Sequence, residues 1–81
     1  MIVKCVAACF NAAGDPDFYF CKVKLHADEY NNGDHYDLAV ETAVKAGYSP
    51  PIIVFDENDG PNFLFEHFVW DSADTVGEAA D

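Results

Sequence analysis

The side chains with most chemistry to offer in this chain are three cysteines and three histidines, Cys5, Cys9, Cys21, His26, His35 and His67. Thiolate and imidazole together suit two tasks, zinc binding and Cys-His nucleophilic catalysis. Zinc requires ligands converging at ~2.3 Å, whereas two residues four apart on an extended strand, as Cys5 and Cys9 are, stand about 13 Å apart at their Cα atoms. A regular strand keeps them off one ion. The thiols then read as small buried hydrophobes, with a labile Cys9 to Cys21 cross-strand bond as the minor alternative. Each histidine has a carboxylate close in sequence, which is the beginning of acid/base chemistry, but no nucleophile stands in a recognisable setting. Cys-His pairs meet in space and not in sequence, so that route stays open while the expectation is a protein that is not an enzyme. The run Asp56-Glu57-Asn58-Asp59-Gly60 invites calcium. An EF-hand loop places Gly sixth and a bidentate Glu twelfth; here Gly60 is fifth and His67 twelfth. The expectation is a polar hairpin loop whose Asp and Asn side chains cap their own backbone, with no catalytic, metal or cofactor site.

Charge is the larger signal. Fifteen Asp and Glu against four Lys and no Arg give a formal net charge of -11 in 81 residues, on a chain that is 51% hydrophobic and 15% aromatic. An acidic chain poor in aromatics would stay unfolded; this one can bury a core and carries its charge on a folded surface. Such a field repels nucleic acid and membrane and steers toward a basic partner. No glycine-rich phosphate loop and no basic footprint is present, and no apolar run reaches the ~18 residues of a membrane span. The start Met1 to Gly14 has its lysine inside a short alternating run instead of before a long apolar one, unlike a signal peptide. An odd number of cysteines excludes a complete disulfide framework and points to a reducing, cytoplasmic setting.

The elements that must position these groups follow from period and turn chemistry. Ile2 to Phe10 and Phe18 to Leu25 are β-branched and apolar, and the turn-forming stretch 11–17 between them makes a β-hairpin. Val3, Cys5, Ala7 and Cys9 share one face with Tyr19, Cys21, Val23 and Leu25; Lys4, Lys22 and Lys24 lie on the other with Val6, Phe18 and Phe20. That lysine-bearing outer face is unusually apolar, leaving room for a partner, a second copy or the C-terminal tail to cover it. Residues 26–33 are a polar, Gly/Asn-marked connection, with one helical turn expected at Ala27 to Tyr30. A helix then runs from an N-cap at Asp34 to Gly47, its apolar stripe at Tyr36, Ala39, Val40, Ala43 and Val44, so that Tyr36, Val40 and Val44 are expected against Cys5, Cys21, Val23 and Val54. Ile52 to Phe55 is a third strand. Phe63 to Trp70 reads as a fourth on its aromatic content and the preceding Asp-Gly-Pro turn, although Leu64, Phe65, Phe68 and Val69 also fit helical spacing. The class is therefore α+β: a two-layer sandwich of order β-β-α-β-β, with a largely antiparallel four-stranded sheet and one helix on one face. Residues 1–70 form the single domain, and 71–81 an acidic tail expected to be loosely packed.

The carboxylates form the remaining constellation. Asp34, Asp37 and Glu41 run down the helix face opposite its apolar stripe, Asp28 and Glu29 precede them, and Asp56, Glu57 and Asp59 cluster in the loop. Asp15 and Asp17 stand at the hairpin tip. In size, single-domain α+β character and carboxylate clustering the chain resembles the small acidic phage-encoded inhibitors that occupy nucleic-acid-binding surfaces, the DNA-mimic anti-restriction and anti-CRISPR proteins. The resemblance is of type and not of motif. It implies inhibition by blocking a Lys/Arg-lined nucleic-acid channel, without catalysis or cofactor. The partner expected is a basic nucleic-acid-binding protein in a host cytoplasm, met by a monomer or homodimer through Asp28, Glu29, Asp34, Asp37, Glu41, Asp56, Glu57 and Asp59. The rival expectation is a self-associating structural module that uses the outer sheet face around Val6, Phe18 and Phe20.

Overall fold

A computed structural model describes residues 1–60 and 62–77. The alternating apolar runs form β1 (Ile2–Phe10) and β2 (Pro16–Lys24), paired antiparallel with Cys5 opposite Cys21 and Cys9 opposite Asp17. Cys9 thus has no cysteine across from it, and all three thiols are free and buried. In the connecting turn the Asn11 side chain accepts the amides of Ala13 and Asp15 at 3.0 and 3.1 Å. A side chain that satisfies two turn amides fixes the hairpin register.

Two helices follow, α1 (Ala27–Asn31) and α2 (Asp34–Lys45). Asp34, expected as the N-cap, is instead the first helical residue, because the chain leaves α1 through Gly33 at φ 81°, which takes the cap position. The far end matches expectation: the amides of Gly47 and Tyr48 turn back to the carbonyls of Val44 and Ala43, both at 3.0 Å, with Gly47 left-handed at φ 101°. β3 (Ser49–Asp56) then pairs antiparallel with the other side of β1.

The segment Phe63 to Trp70 is not a strand. It opens with α3 (Asn62–Glu66) and continues to a 3₁₀ turn at Trp70–Ser72, and the fourth strand is β4 (Asp74–Gly77), which pairs parallel with β2. A short helix followed by a bend lets Phe65, Phe68 and Trp70 pack together on one surface, while the β-branched pair Thr75 and Val76 supplies the strand. The sheet order is β3-β1-β2-β4, mixed but mostly antiparallel, within an α+β fold. Of the stretch 71–81, residues 78–81 lie outside the described residues.

α2 crosses one face of the sheet against β3, β1 and β2. The core beneath it is Val3, Cys5, Cys21, Val23, Leu25 and Ala39, joined by half-buried Tyr19, Tyr30, Leu38, Val54 and Val76. The inward residues of α2 are His35, Ala39 and Ala43; Tyr36 and Val40 are only half-buried and Val44 is 50% exposed. Ala39 and Ala43 of the expected stripe do face inward, but the buried edge beside them is His35 and not Tyr36, Val40 and Val44. The register 35, 39, 43 wins because it carries His35 to a buried partner, described below.

The lysine-bearing face points away from α2, and part of it is a second, aromatic core. Phe20 stacks on Phe68 with centroids 3.8 Å apart, Trp70 meets both rings edge-on and lies flat against Phe65, and its Nε1 donates to the Phe65 carbonyl at 2.9 Å. Lys4 Nζ sits 5.6 Å from the Trp70 ring centre, within cation–π range. Val6 beneath is fully buried. Among the described residues no helix is long and apolar enough to cross a membrane.

Candidate partner-binding face and the buried carboxylate behind it

The period of α2 separates its residues by task. His35, Ala39 and Ala43 face the sheet, so Asp34, Asp37 and Glu41, at i, i+3 and i+7, must lie on the outer side. With Glu29 from α1 they rim a cleft of about 580 Å³ whose remaining lining is Leu38, Thr42, Lys45, Val76 and Gly77. Asp37 and Glu41 are exposed; Asp34 and Glu29 are half-buried. Glu29 Oε1 also accepts the His26 amide at 2.8 Å, which anchors the start of α1. Asp28 is exposed on α1 but does not line the cleft. Among the described residues no lysine reaches within 4.0 Å of a carboxylate, so none of these charges is held in a lysine ion pair, although Lys45 lines the same cleft.

The loop carboxylates do different work. Asp56 ends β3 in register with Cys5 and is 3% exposed, so it cannot meet a partner as the sequence reading expected. Period two explains the burial, since Asp56 follows Val54 on the inward face. Its Oδ1 accepts the amides of Asn58 and Asp59 at 2.8 and 3.0 Å. Its Oδ2 receives His35 Nε2 at 3.0 Å, the Tyr30 hydroxyl at 3.2 Å and the Tyr36 hydroxyl at 3.4 Å. Burial works against the charge of Asp56, but these donors outweigh it and hold the carboxyl below its usual range. The self-capping loop expected from Asp-Glu-Asn-Asp-Gly is present, although it leads into α3 and not into a hairpin partner.

Asp59 is exposed yet engaged: it accepts the Tyr36 hydroxyl and the Asp56 amide. The bond to Asp59 is the main reason the Tyr36 hydroxyl is pushed well above the usual phenol range, with burial adding to it. Glu57 is exposed and accepts the Lys4 amide at 3.1 Å. The eight expected contact residues thus divide into a cleft group (Glu29, Asp34, Asp37, Glu41), Asp28 beside it, and a loop group (Asp56, Glu57, Asp59) tied into the fold.

His35, one of the three histidines with chemistry to offer, lies in the core, a position that the expected apolar stripe of α2 does not give it. It is 2% exposed, lies between the Tyr30 and Tyr36 rings at 4.7 and 4.1 Å, and its Nδ1 has no hydrogen-bond partner. The stripe 35, 38, 39, 42, 43 also recurs at helical spacing and is the signal in the sequence for this placement. A His-Asp pair in this setting resembles half of a catalytic arrangement, but both members are sealed from solvent. The thiols are sealed too: burial pushes the Cys21 thiol up to about 11 and raises Cys5 further. Among the described residues no three His, Cys, Asp or Glu side chains converge as a metal site. No family model, no curated protein and no solved structure matches this chain.

Proposed function

We propose that this chain is a non-catalytic acidic binding protein that acts in the cytoplasm by occupying a basic nucleic-acid-binding surface of another protein. The observation that carries the reading is the rim of Glu29, Asp34, Asp37 and Glu41 around an apolar floor of Leu38 and Val76. An arginine or lysine entering that cleft lays its aliphatic stem on the floor and its charged head among carboxylates, where charge-assisted hydrogen bonds replace those it makes to phosphates. Successive acidic residues on α2 rise by about 4.5 to 6 Å, from three or four residues at 1.5 Å each. That repeat presents a row of anions to a groove built for a charged backbone. The resemblance to phage-encoded DNA mimics belongs to this proposal and supports it only by type.

The test uses an arginine-rich peptide as probe, titrated into isotopically labelled protein and followed by amide shifts. The expected result is perturbation centred on residues 28–45, binding that weakens steeply between low and physiological salt, and competition by duplex DNA for the peptide. Asp37→Asn with Glu41→Gln should weaken binding at least about fivefold, mostly through the association rate. Asp15→Asn with Asp71→Asn, an equal change in charge at two exposed positions elsewhere, should weaken it by less than about twofold. Equal effects of the two pairs would show that only net charge matters and would remove the cleft from the account.

A further inference from the structure

The pairing of β1 fixes which backbone groups of the sheet are left over. The Met1 amino group donates to the Leu25 carbonyl at 2.8 Å and the Leu25 amide donates back at 3.0 Å. Bonded pairs recur at every second residue of an antiparallel ladder, so the odd-numbered residues of β1 and β2 bond to each other. The even-numbered residues of β1 then turn to β3, joining Val6 to Phe55 and Ala8 to Ile53. Ile52, Val54 and Asp56 must direct their N–H and C=O groups the other way, where the sheet ends. Asp56 bears out this phase: its amide donates to Asp59 Oδ1 at 2.8 Å, and its carbonyl accepts the amides of Asp59 and Gly60.

Elsewhere the chain blunts its open edges with its own groups. Asp59 caps Asp56, Asp17 Oδ1 accepts the outward amide of Phe18 at 2.8 Å, Pro50 and Pro51 have no N–H to offer, and β4 is four residues long. Among the described residues no group caps Ile52 or Val54 in this way. The side of the molecule around them is apolar: Ile53 is 61% exposed, and on α2 Val40 is half-buried and Val44 50% exposed. Val40 and Val44 share a flank of α2 with Tyr36, which reaches Asp59 at the end of β3, whereas the acidic cleft with Leu38, Thr42 and Val76 lies on the other flank.

A row of open backbone groups is satisfied by another extended strand. We propose that this strand is β3 of a second copy, antiparallel, in the register that sets Ile53 opposite its own counterpart. Ile52 of each copy then meets Val54 of the other as a pair that exchanges both N–H and C=O bonds. Sliding the register by two residues sets Pro50 or the capped Asp56 opposite instead, so one register alone uses all the open groups of Ile52 and Val54. The two Ile53 side chains touch across the axis on the outer face, and Val40 and Val44 turn toward the α2 of the other copy. The two-fold axis is perpendicular to the sheet, which joins two four-stranded sheets into one and keeps both acidic clefts on the same side, at its far flanks. A lone peptide strand pairs with β3 equally well but leaves Val44 uncovered and its own outer edge open; a second copy closes both. The smaller dimensions of the molecule are 24 and 22 Å. Over the seven residues 50–56 at ~3.3 Å each, that side measures on the order of 500 Å² per copy and about 1,000 Å² for the pair, the lower limit of a specific interface. The dimer is accordingly a weak one, with a dissociation constant on the order of 100 μM. It does not rest on the arginine-binding cleft proposed above.

Sedimentation equilibrium and amide exchange from about 10 μM to about 1 mM at physiological salt test the pairing. The expected result is a shift from monomer to dimer mass in which exchange at Ile52 and Val54 slows at least about threefold, while Ile53 and Phe55, already bonded to β1, change little. That alternation along one strand is specific to edge pairing. Ile53→Lys sets two like charges face to face across the axis and should raise the dissociation constant at least about tenfold with an unchanged far-UV spectrum. Val69→Lys, the same change of charge at a residue 68% exposed and outside β3, should raise it by less than about twofold. A monomer mass at about 1 mM, a dimer in which Ile52 and Val54 exchange as fast as in the monomer, or equal effects of the two lysine variants would each overturn the proposal. A synthetic peptide of residues 50–56 is the remaining probe. Protection of Ile52 and Val54 by that peptide in a chain that stays monomeric without it would also overturn the second copy, in favour of an extended segment of another protein.

Discussion

Asp56 ties three separate parts of the chain to the end of β3 through one carboxylate: the loop 57–59 through the amides of Asn58 and Asp59, α1 through Tyr30, and α2 through His35 and Tyr36. Such a group is stabilising only while it is ionised. Its folded-state pKa is lowered, so its contribution is complete above the unfolded value of ~3.9 and is lost as pH falls through the folded value. Asp56→Asn keeps the shape but places an amide N–H against donors, and leaving buried polar groups unsatisfied costs about 1 to 3 kcal/mol. Urea unfolding at pH 7 should show that deficit, and at pH 3 the gap to the parent should narrow; a gap of the same size at both would contradict ionisation as the source. The composition of the loop could not reveal this, because five polar residues in a row read as solvated. Alternation could have, had the third strand been carried one residue past Phe55, since Val54 inward requires Asp56 inward. The cleft residues were legible for the opposite reason: Asp34, Asp37 and Glu41 fall outside either candidate stripe of α2.

At the level of elements, the hairpin, α2 with its glycine exit, and β3 were readable from period and turn chemistry, which are local. The fourth strand was not. Phe63 to Trp70 satisfies both periods, and the choice between them rests on which surface waits to be covered, here Phe20 and Val6 on the outer face. β4 is short, and its partner β2 is some fifty residues earlier, so only tertiary pairing selects it. Its hold depends on Gly77, left-handed at φ 101° and so close to β2 that a Cβ there would lie 2.5 Å from the Lys24 carbonyl oxygen. Gly77→Ala combines a clash with backbone strain of about 1 to 3 kcal/mol. Amide exchange should then quicken in β4 and the adjoining part of β2 while β1 and β3 keep their protection. Protection in β4 equal to the parent's would remove that strand's dependence on this glycine.

Taken whole, the molecule carries its unneutralised carboxylates at a density its own size makes expensive. It measures 36 × 24 × 22 Å, so at ~10 mM salt, where the screening length is about 30 Å, nearly every charge feels every other. At physiological salt the length falls to about 8 Å and most of that repulsion disappears. Thermal unfolding should therefore shift upward by several degrees over this range of salt, the reverse of what surface ion pairs would give, and a flat or falling midpoint would show that the charges are locally balanced. The outer aromatic layer brings a separate consequence. The only tryptophan of the chain, Trp70, is 8% exposed, and it sits in that layer and not under α2. Its fluorescence thus reports on one side of the sheet alone, while far-UV dichroism reports mainly on the strands and α2. A blue-shifted emission that reddens before the dichroism changes marks a state in which the aromatic cover has lifted from an intact sheet, so the two signals together give this small fold an optical readout of each face.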